Sequence, residues 1–362
     1  MITPQQLSTM IKAEAMRLGF SACGIAKAAR VSADEERHLR RWLDEGQYGN
    51  MAYMANHLDK RLDPRLLMDG LRSIVAVAMN YAPQRTLPDG EPQIAAYALG
   101  HDYHEVMKDR LHRLAAFVAG LTDEAPGQSA EHRAGDDGLR YRVFVDSGPV
   151  LERYWACQAG LGWVGRNRQL IIPRAGSMFF LGELFLDIEL EYDQPMASRC
   201  GTCQRCIDQC PTQVLNTSGD FDASRCLSYQ TIENRGALSE EAKAAMGACF
   251  YGCDRCQTAC PWNRFAVPNE VPELQPREEL LEMTWQKWQQ LSVDDYRRLF
   301  KGSAVKRAKY EGLMRNIRAL QEPHGLTAKS GYAANSESVG LNNEASKQNN
   351  DIHSVNNTIT KK

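Results

Sequence analysis

The sequence predicts an α/β domain followed by a small cysteine-rich domain and a short helical region, and three observations carry that prediction. The first half alternates helical and strand patterns of apolar residues. Nine of the eleven cysteines crowd into residues 200–261. Beyond residue 268 a proline-rich stretch gives way to helical spacing of Trp, Leu and basic residues. A length of 362 residues leaves room for two or three domains, and 43% hydrophobic residues is ordinary for a globular protein. The formal net charge of −2 gives no global sign of nucleic-acid binding. No run approaches the roughly 18 apolar residues of a membrane span, so no membrane partner is expected. Many thiols and no signal peptide point to a reducing cytoplasm.

Thr3 and Pro4 start a helix, with Thr3 as N-cap, and Leu7, Met10, Ile11, Ala15 and Leu18 line one face until Gly19 ends it. Residues 20–26 read as a short strand, 32–45 as a charged amphipathic helix and 73–81 as a strand buried on both faces. The basic stretch 60–65 reads as an irregular loop. Tyr97-Ala-Leu-Gly-His-Asp-Tyr-His104 is either a pocket wall or a helix cap formed by Asp102, ahead of a helix over 104–120. Residues 122–138 lack periodicity and read as an exposed insertion.

Residues 140–146 alternate into a strand that stops at Asp146, with Ser-Gly-Pro behind it. A carboxylate at the carboxyl end of a core strand stands where α/β sheets place their chemistry. The competing reading has Asp146 capping a helix over 150–159 that Pro149 would start, and the pattern alone leaves both open. Gly160-Leu-Gly-Trp-Val-Gly165 matches the dinucleotide fingerprint but follows a helix and leads into a strand at 169–173, so it is rejected as a nucleotide site. Its glycines suit a tight turn or a close backbone approach. Residues 177–190 form a long apolar strand, the last of the sheet.

The cysteines open as Cys200-x2-Cys203-x2-Cys206-x3-Cys210-Pro and close as Cys249-x3-Cys253-x2-Cys256-x3-Cys260-Pro, with Cys226 between. The first spacing is the bacterial ferredoxin run, in which three thiolates hold one [4Fe–4S] cluster and the fourth reaches a second. Structural zinc pairs distant C-x2-C elements instead, and a disulfide framework needs a secreted chain. Crossed pairing assigns Cys200, Cys203, Cys206 and Cys260 to one cluster and Cys210, Cys253 and Cys256 to the other. A regular second motif would carry the eighth ligand at position 250, where Phe250 stands, so Cys249 or Cys226 must substitute.

Residues 268–276 form a proline-rich linker, and 283–320 read as helices with Trp285, Trp288, Leu291, Leu299 and Leu313 as apolar positions. Between Arg297 and Arg318, eight basic residues face one acid, a local net of +7 that suggests a phosphate-bearing partner. The Asn- and Ser-rich tail reads as disordered. Two clusters move single electrons, so the preceding domain is expected to hold a substrate or second cofactor, with Asp146 as proton donor to a reductive step.

The run 97–104, Val145-Asp146-Ser-Gly148, Ala159-Gly-Leu-Gly-Trp-Val-Gly165, Phe179-Phe-Leu-Gly-Glu-Leu184, the double cysteine motif, Cys226-Leu-Ser-Tyr-Gln-Thr-Ile-Glu233 and Cys260-Pro-Trp-Asn263 together resemble the epoxyqueuosine reductase family over residues 1 to about 320. That resemblance implies removal of the epoxide oxygen of epoxyqueuosine at the tRNA wobble position, using cobalamin and two [4Fe–4S] clusters. It implies an α/β (α+β) cobalamin-binding domain related to reductive dehalogenases over 1–195, a double-cluster ferredoxin-like domain over 196–267, a HEAT-like tRNA-binding region over 268–321 and a disordered tail over 322–362. Asp146 falls on the family's proton donor and Cys226 on its eighth cluster ligand, leaving Cys249 spare. Arg61, Tyr97, Asp102, Tyr103, Asp146 and Ser228 are the expected corrin contacts. No D-x-H-x-x-G is present, so the cofactor is expected base-off without a histidine ligand. An external electron donor and a monomer complete the expectation. A reductive dehalogenase is the rival that shares the cofactors, opposed by the basic helices and the lack of a twin-arginine signal. A non-catalytic electron-transfer or tRNA-binding protein is the rival without chemistry.

Overall fold

The computed structural model describes residues 2–122 and 138–320. Most of the expected insertion and the whole tail lie outside the described residues. Helix α1 (Pro4–Arg17) begins in a capping box, Thr3 Oγ1 accepting the Gln6 N–H while the Gln6 side chain accepts the Thr3 N–H. Strand β1 (Ala22–Lys27) and helix α2 (Ala33–Asp44), capped by Ser32, follow as the patterns predict.

The expected loop at 60–65 is instead helix α3 (Leu58–Leu62) and a 3-10 turn at Pro64–Leu66. Leu62 is buried there, and the Arg61 guanidinium donates to the carbonyls of Tyr53 and Asn56. One turn of helix is too short for periodicity to reveal, and burial of Leu62 decides it.

Strand β2 (Ser73–Asn80) is buried on both faces, and β3 (Gln93–Ile94) precedes helix α4 (Tyr103–Leu121). Next come β4 (Tyr141–Phe144), α5 (Glu152–Gln158), β5 (Trp163–Val164), β6 (Leu170–Ile171) and β7 (Phe179–Leu186). The main sheet runs β1-β2-β7-β4 with every pair antiparallel. This first domain is therefore the α+β form, and β7, last of the sheet in sequence, sits inside it in space. The crevice rule for parallel sheets does not apply to Asp146, whose place is set by β4 ending beside β7, with Phe144 opposite Glu183.

One sheet face packs Val75, Val77, Met79 and Leu184 against α1 and α4. The other packs Ile74, Ala76 and Phe185 against Trp155 of α5 and Leu39 of α2. The rejected fingerprint spans the turn into the β5–β6 ribbon, and a Cβ on Gly162 would lie 2.0 Å from the Ile171 carbonyl oxygen. Its glycine serves backbone approach, not phosphate binding.

Helices α6 (Arg205–Asp208), α7 (Leu227–Ile232) and α8 (Glu240–Ala245), strand β8 (Cys249–Tyr251) and helix α9 (Arg255–Thr258) build the cysteine-rich part. Strand β8 pairs in parallel with β3. Helices α10 (Glu278–Leu281), α11 (Trp285–Gln289), α12 (Val293–Leu299) and α13 (Lys309–Ala319) follow. They share one core with Ile94, Leu99, Leu227, Phe250 and Tyr251, so this region packs into the preceding parts. Buried Asn316 fastens it by donating to the carbonyls of Thr231 and Phe250 at 2.7 and 2.9 Å.

Trp288 lies fully buried at the centre of that core, its ring 4.8 Å from Phe250 and 6.3 Å from Phe300. Trp288→Ala is expected to cost about 3–5 kcal/mol of stability, measured by anaerobic urea unfolding.

Candidate active site

Asp146 sits two residues past β4 in left-handed backbone, φ 54°, a conformation that costs a non-glycine residue energy and persists only where surroundings impose it. Its N–H is held by Glu152 Oε1 at the start of α5. Asp146 therefore does not cap α5; the helix side chain holds the aspartate's backbone. The Asp146 side chain remains 60% exposed. Tyr103 donates its hydroxyl to Asp146 Oδ2 at 2.6 Å, and His104 Nε2 lies 3.6 Å from the same oxygen. The other ring nitrogen of His104, Nδ1, meets Asp102 Oδ1 at 2.6 Å.

The cap reading of the 97–104 run holds: Asp102 caps α4 by accepting the His104 N–H, and the same turn carries Tyr103 and His104 to Asp146. Tyr103 is clamped in place, stacked on Phe180 with ring centroids 4.1 Å apart. Tyr97 reaches Tyr251 of β8, hydroxyl to hydroxyl, at 3.2 Å.

Electrostatics sort the protons among these groups. Partial desolvation by the surrounding turn pushes toward a neutral Asp146, but the contacts from His104 and Tyr103 outweigh it and hold the carboxyl below its usual range. Burial opposes charge on His104 too, yet Asp102 and Asp146 raise the imidazole to about 9. Glu152 is pushed up to about 8 by burial and by the Asp146 charge. Glu183, fully buried inside β7, is raised well above the ordinary value by burial, then by Glu152 and Asp146. Near neutral pH these shifts favour charge on Asp102, Asp146 and His104 and a proton on Glu152 and Glu183.

Two groups of cysteines gather in the cysteine-rich part. Cys200, Cys203, Cys206 and Cys260 line a cavity of about 270 Å³ shared with Arg166, Trp262 and others. Cys210, Cys226 and Cys256 pack with Cys206 around a small apolar cluster, and Cys226 also interacts with Cys253. Cys249 interacts with Cys253, and its thiol donates to the Gly252 carbonyl at 3.2 Å. All eleven cysteines are free thiols. Among the described residues no three His, Cys, Asp or Glu side chains converge as a single metal ion needs, whereas a cuboidal cluster spreads its four thiolates around a cube. Trp163 Nε1 lies 3.5 Å from Cys200 Sγ, an N–H···S contact of the kind that tunes cluster potential.

Of the expected corrin contacts, Tyr97, Asp102, Tyr103 and Asp146 come together. Arg61 is buried on the carbonyls of Tyr53 and Asn56, and Ser228 lies half-buried on the first turn of α7. Sequence reasoning missed His104, Glu152 and Glu183 as site residues. Glu183 left a signal, a lone acid inside the apolar run Phe-Phe-Leu-Gly-Glu-Leu-Phe-Leu of β7. Glu152 left none, because only the turn at Asp146 brings it there.

A family model described as epoxyqueuosine reductase QueG matches residues 61–147, and one described as a 4Fe-4S double cluster binding domain matches residues 199–263. An epoxyqueuosine reductase of Cellulophaga algicola is 43% identical over 89% of this chain and 100% of its own length. The chain belongs to the epoxyqueuosine reductase family. Among solved structures, an epoxyqueuosine reductase with an epoxyqueuosine-modified tRNA-Tyr stem loop is similar at a TM-score of 0.75 and 27% identity, covering 88% of this chain and 81% of that one. The Bacillus subtilis epoxyqueuosine reductase, described with its catalytic aspartate loop swung out of the active site, is similar at 0.76 and 26%, with the same coverage.

Tyr103→Phe and His104→Gln each remove a group that favours the Asp146 carboxylate. Both variants are expected to raise the Asp146 pKa, followed by carbon-13 NMR titration of labelled aspartate.

Proposed function

We propose that this epoxyqueuosine reductase removes the epoxide oxygen of epoxyqueuosine in tRNA with Asp146 as proton donor, its electrons passing through two [4Fe–4S] clusters to base-off cobalamin. The observation that carries the reading is Asp146 itself: an exposed carboxylate in strained backbone, held by Tyr103, His104 and Glu152. Strain kept in place by three partners marks a working residue. The Bacillus subtilis relative, with its catalytic aspartate loop, supports the assignment.

Cys200, Cys203, Cys206 and Cys260 would hold one cluster, and Cys210, Cys226, Cys253 and Cys256 the other. Burial raises Cys206 to about 11 and the neighbouring thiols repel its anion, so cluster assembly must displace protons. Cys249 fits no ligand role, since its thiol is engaged with backbone carbonyls.

In this reading the corrin would be held without a histidine ligand. Both nitrogens of His104 are engaged by carboxylates, leaving that imidazole no lone pair for cobalt. Cobalamin, when bound, supplies low-potential electrons to the epoxide-bearing ring. Asp146 then takes up protons and passes them to the departing oxygen, Tyr103 orients the carboxyl and the His104 imidazolium balances the charge of its resting carboxylate. Arg61, Tyr97, Asp102 and Ser228 are the further corrin contacts in this reading.

Electrons would enter at the first cluster, where exposed Arg199 and Arg264 and the apolar Phe265 and Trp262 border the cavity, a rim suited to an acidic one-electron carrier. For tRNA, the basic helices contribute less than the +7 of their sequence. Arg297, Arg298 and Arg307 pair with Asp294, Glu279 and Glu233, and Arg315 is engaged with backbone carbonyls. Lys301, Lys306, Lys309 and Arg318 are the residues assigned to phosphates. No helix among the described residues is long and apolar enough to cross a membrane, and eleven cysteines outside any disulfide suit a reducing cytoplasm.

Anaerobic reconstitution with iron, sulfide, cobalamin and a reductant is expected to convert epoxyqueuosine-containing tRNA to queuosine, read by nucleoside mass spectrometry. Asp146→Ala should retain clusters and cobalamin while turnover falls by about 100-fold or more; near-normal turnover would remove Asp146 from the mechanism. Cys249→Ser is expected to keep about eight iron atoms per chain, whereas Cys226→Ser loses part of them on iron analysis.

A further inference from the structure

Replacing an epoxide by a carbon–carbon double bond takes two electrons and two protons, and the oxygen leaves as water. Asp146 carries one proton at a time. Something beside it must reload it within each turnover.

Behind Asp146 lie two carboxyls that the reaction as described leaves unused. Glu152 is half-buried at the start of α5, and its Oε1 accepts the N–H of Asp146. Glu183 is fully buried in β7, directly opposite Phe144 of β4 and Ala76 of β2. Neither oxygen of Glu183 has a hydrogen-bond partner among the described residues. An unpaired carboxylate there would be far too costly, so Glu183 is a carboxylic acid. As a packing element leucine would serve the sheet better, because an unsatisfied buried polar group destabilises. The charges that act on Glu152 are those of Asp146 from the turn, Arg153 from its own helix and His104 from α4; those that act on Glu183 are Glu152 and Asp146.

We propose that Glu152 and Glu183 form a buried proton store that reloads Asp146 during turnover. Glu152 loads the Asp146 carboxylate, Asp146 gives that proton to the departing oxygen, and Glu183 reprotonates Glu152 so that the same transfer runs a second time. Two protons thereby reach the oxygen, two electrons arrive through the clusters, and the store refills from solvent through half-exposed Glu152. The His104 imidazolium is less suited to this duty, since it contacts both Asp102 and Asp146 and losing its charge would weaken both contacts. The two glutamates act through Asp146, so the inference rests on Asp146 being the proton donor.

The test compares reconstituted wild-type chain with Glu152→Gln, Glu183→Gln, Glu183→Leu and Asp146→Ala. Infrared spectra without substrate are expected to show a protonated-carboxyl stretch at neutral pH that Glu183→Gln diminishes. Glu183→Leu is expected to raise Tm, by a margin that widens as pH rises above 4.5. Above that pH the unfolded carboxyl ionises while the folded one keeps its proton, so wild-type stability falls with rising pH. Turnover should drop at least about tenfold in all three glutamate variants, with a larger solvent deuterium isotope effect and unchanged iron and cobalamin content. Wild-type turnover should decline as pH passes about 8, and Glu152→Gln should lose that limb. If Asp146→Ala is inactive while the glutamate variants keep wild-type rate, pH profile and isotope effect, the store is overturned and the donor stands. An active Asp146→Ala overturns the donor, and the store with it. A spectrum without the protonated-carboxyl band also overturns the store.

Discussion

Strand β3 meets β8 through the Gln93 N–H on the Ala248 carbonyl and the Ala95 N–H on the Tyr251 carbonyl, at 2.7 and 2.8 Å, and this short parallel pairing, separate from the antiparallel sheet, ties the segment ahead of α4 to the cysteine-rich part. Its reach is extended by Asp254, which accepts the Ala96 N–H at 2.7 Å, and by the Tyr97–Tyr251 hydroxyl contact. Six residues beyond Tyr97, α4 begins and delivers Tyr103 and His104 to Asp146. The thiol groups and the aspartate are therefore held in one frame. Such rigidity matters for electron and proton delivery to one substrate, because both must arrive at fixed places.

The same pairing explains the broken second cysteine motif. Position 250 lies in the middle of β8, where Phe250 is fully buried against Trp288. A cysteine there would point into the hydrophobic core, away from the other thiols. In the proposed ligand set Cys226, at the start of α7 and near Cys210, Cys253 and Cys256, takes that place. Cys249, though adjacent in sequence to position 250, turns its sulfur to backbone carbonyls.

Around Asp146 the structure stores strain and separates charges. Left-handed backbone costs the turn energy, and the Glu152 contact helps to maintain it. Anionic Asp146 beside cationic His104, with neutral Glu152 and Glu183 behind, puts acids of unlike strength within one small volume. Pushing neighbouring titratable groups apart in this way is how a site handles protons near neutral pH.

Much of this was legible in the residues. Thr3-Pro4, Ser32 and Asp102 announced their helices because caps satisfy N–H groups locally, and the cysteine spacing announced clusters because three thiolates on one loop suit a cube. The one-turn helix α3 was not legible, since a single turn has no period to read. Strand direction was not legible either: alternating helices and strands suggested α/β order, while the sheet is antiparallel throughout, because pairing is a long-range property. Asp146 stood out as the end of a strand, but Glu152 and Glu183 became its neighbours only when β4 docked on β7 and the turn folded back onto α5. Likewise the basic run 297–318 looked free until Glu233 and Glu279 came across to it. What the sequence by itself determined was the chemistry available, the thiols, the aspartate and the aromatic run, because residue types and short spacings are local. Which carboxyls keep their protons, and which arginines remain free, only the tertiary structure decided, since burial and charge pairing depend on groups far apart in the chain.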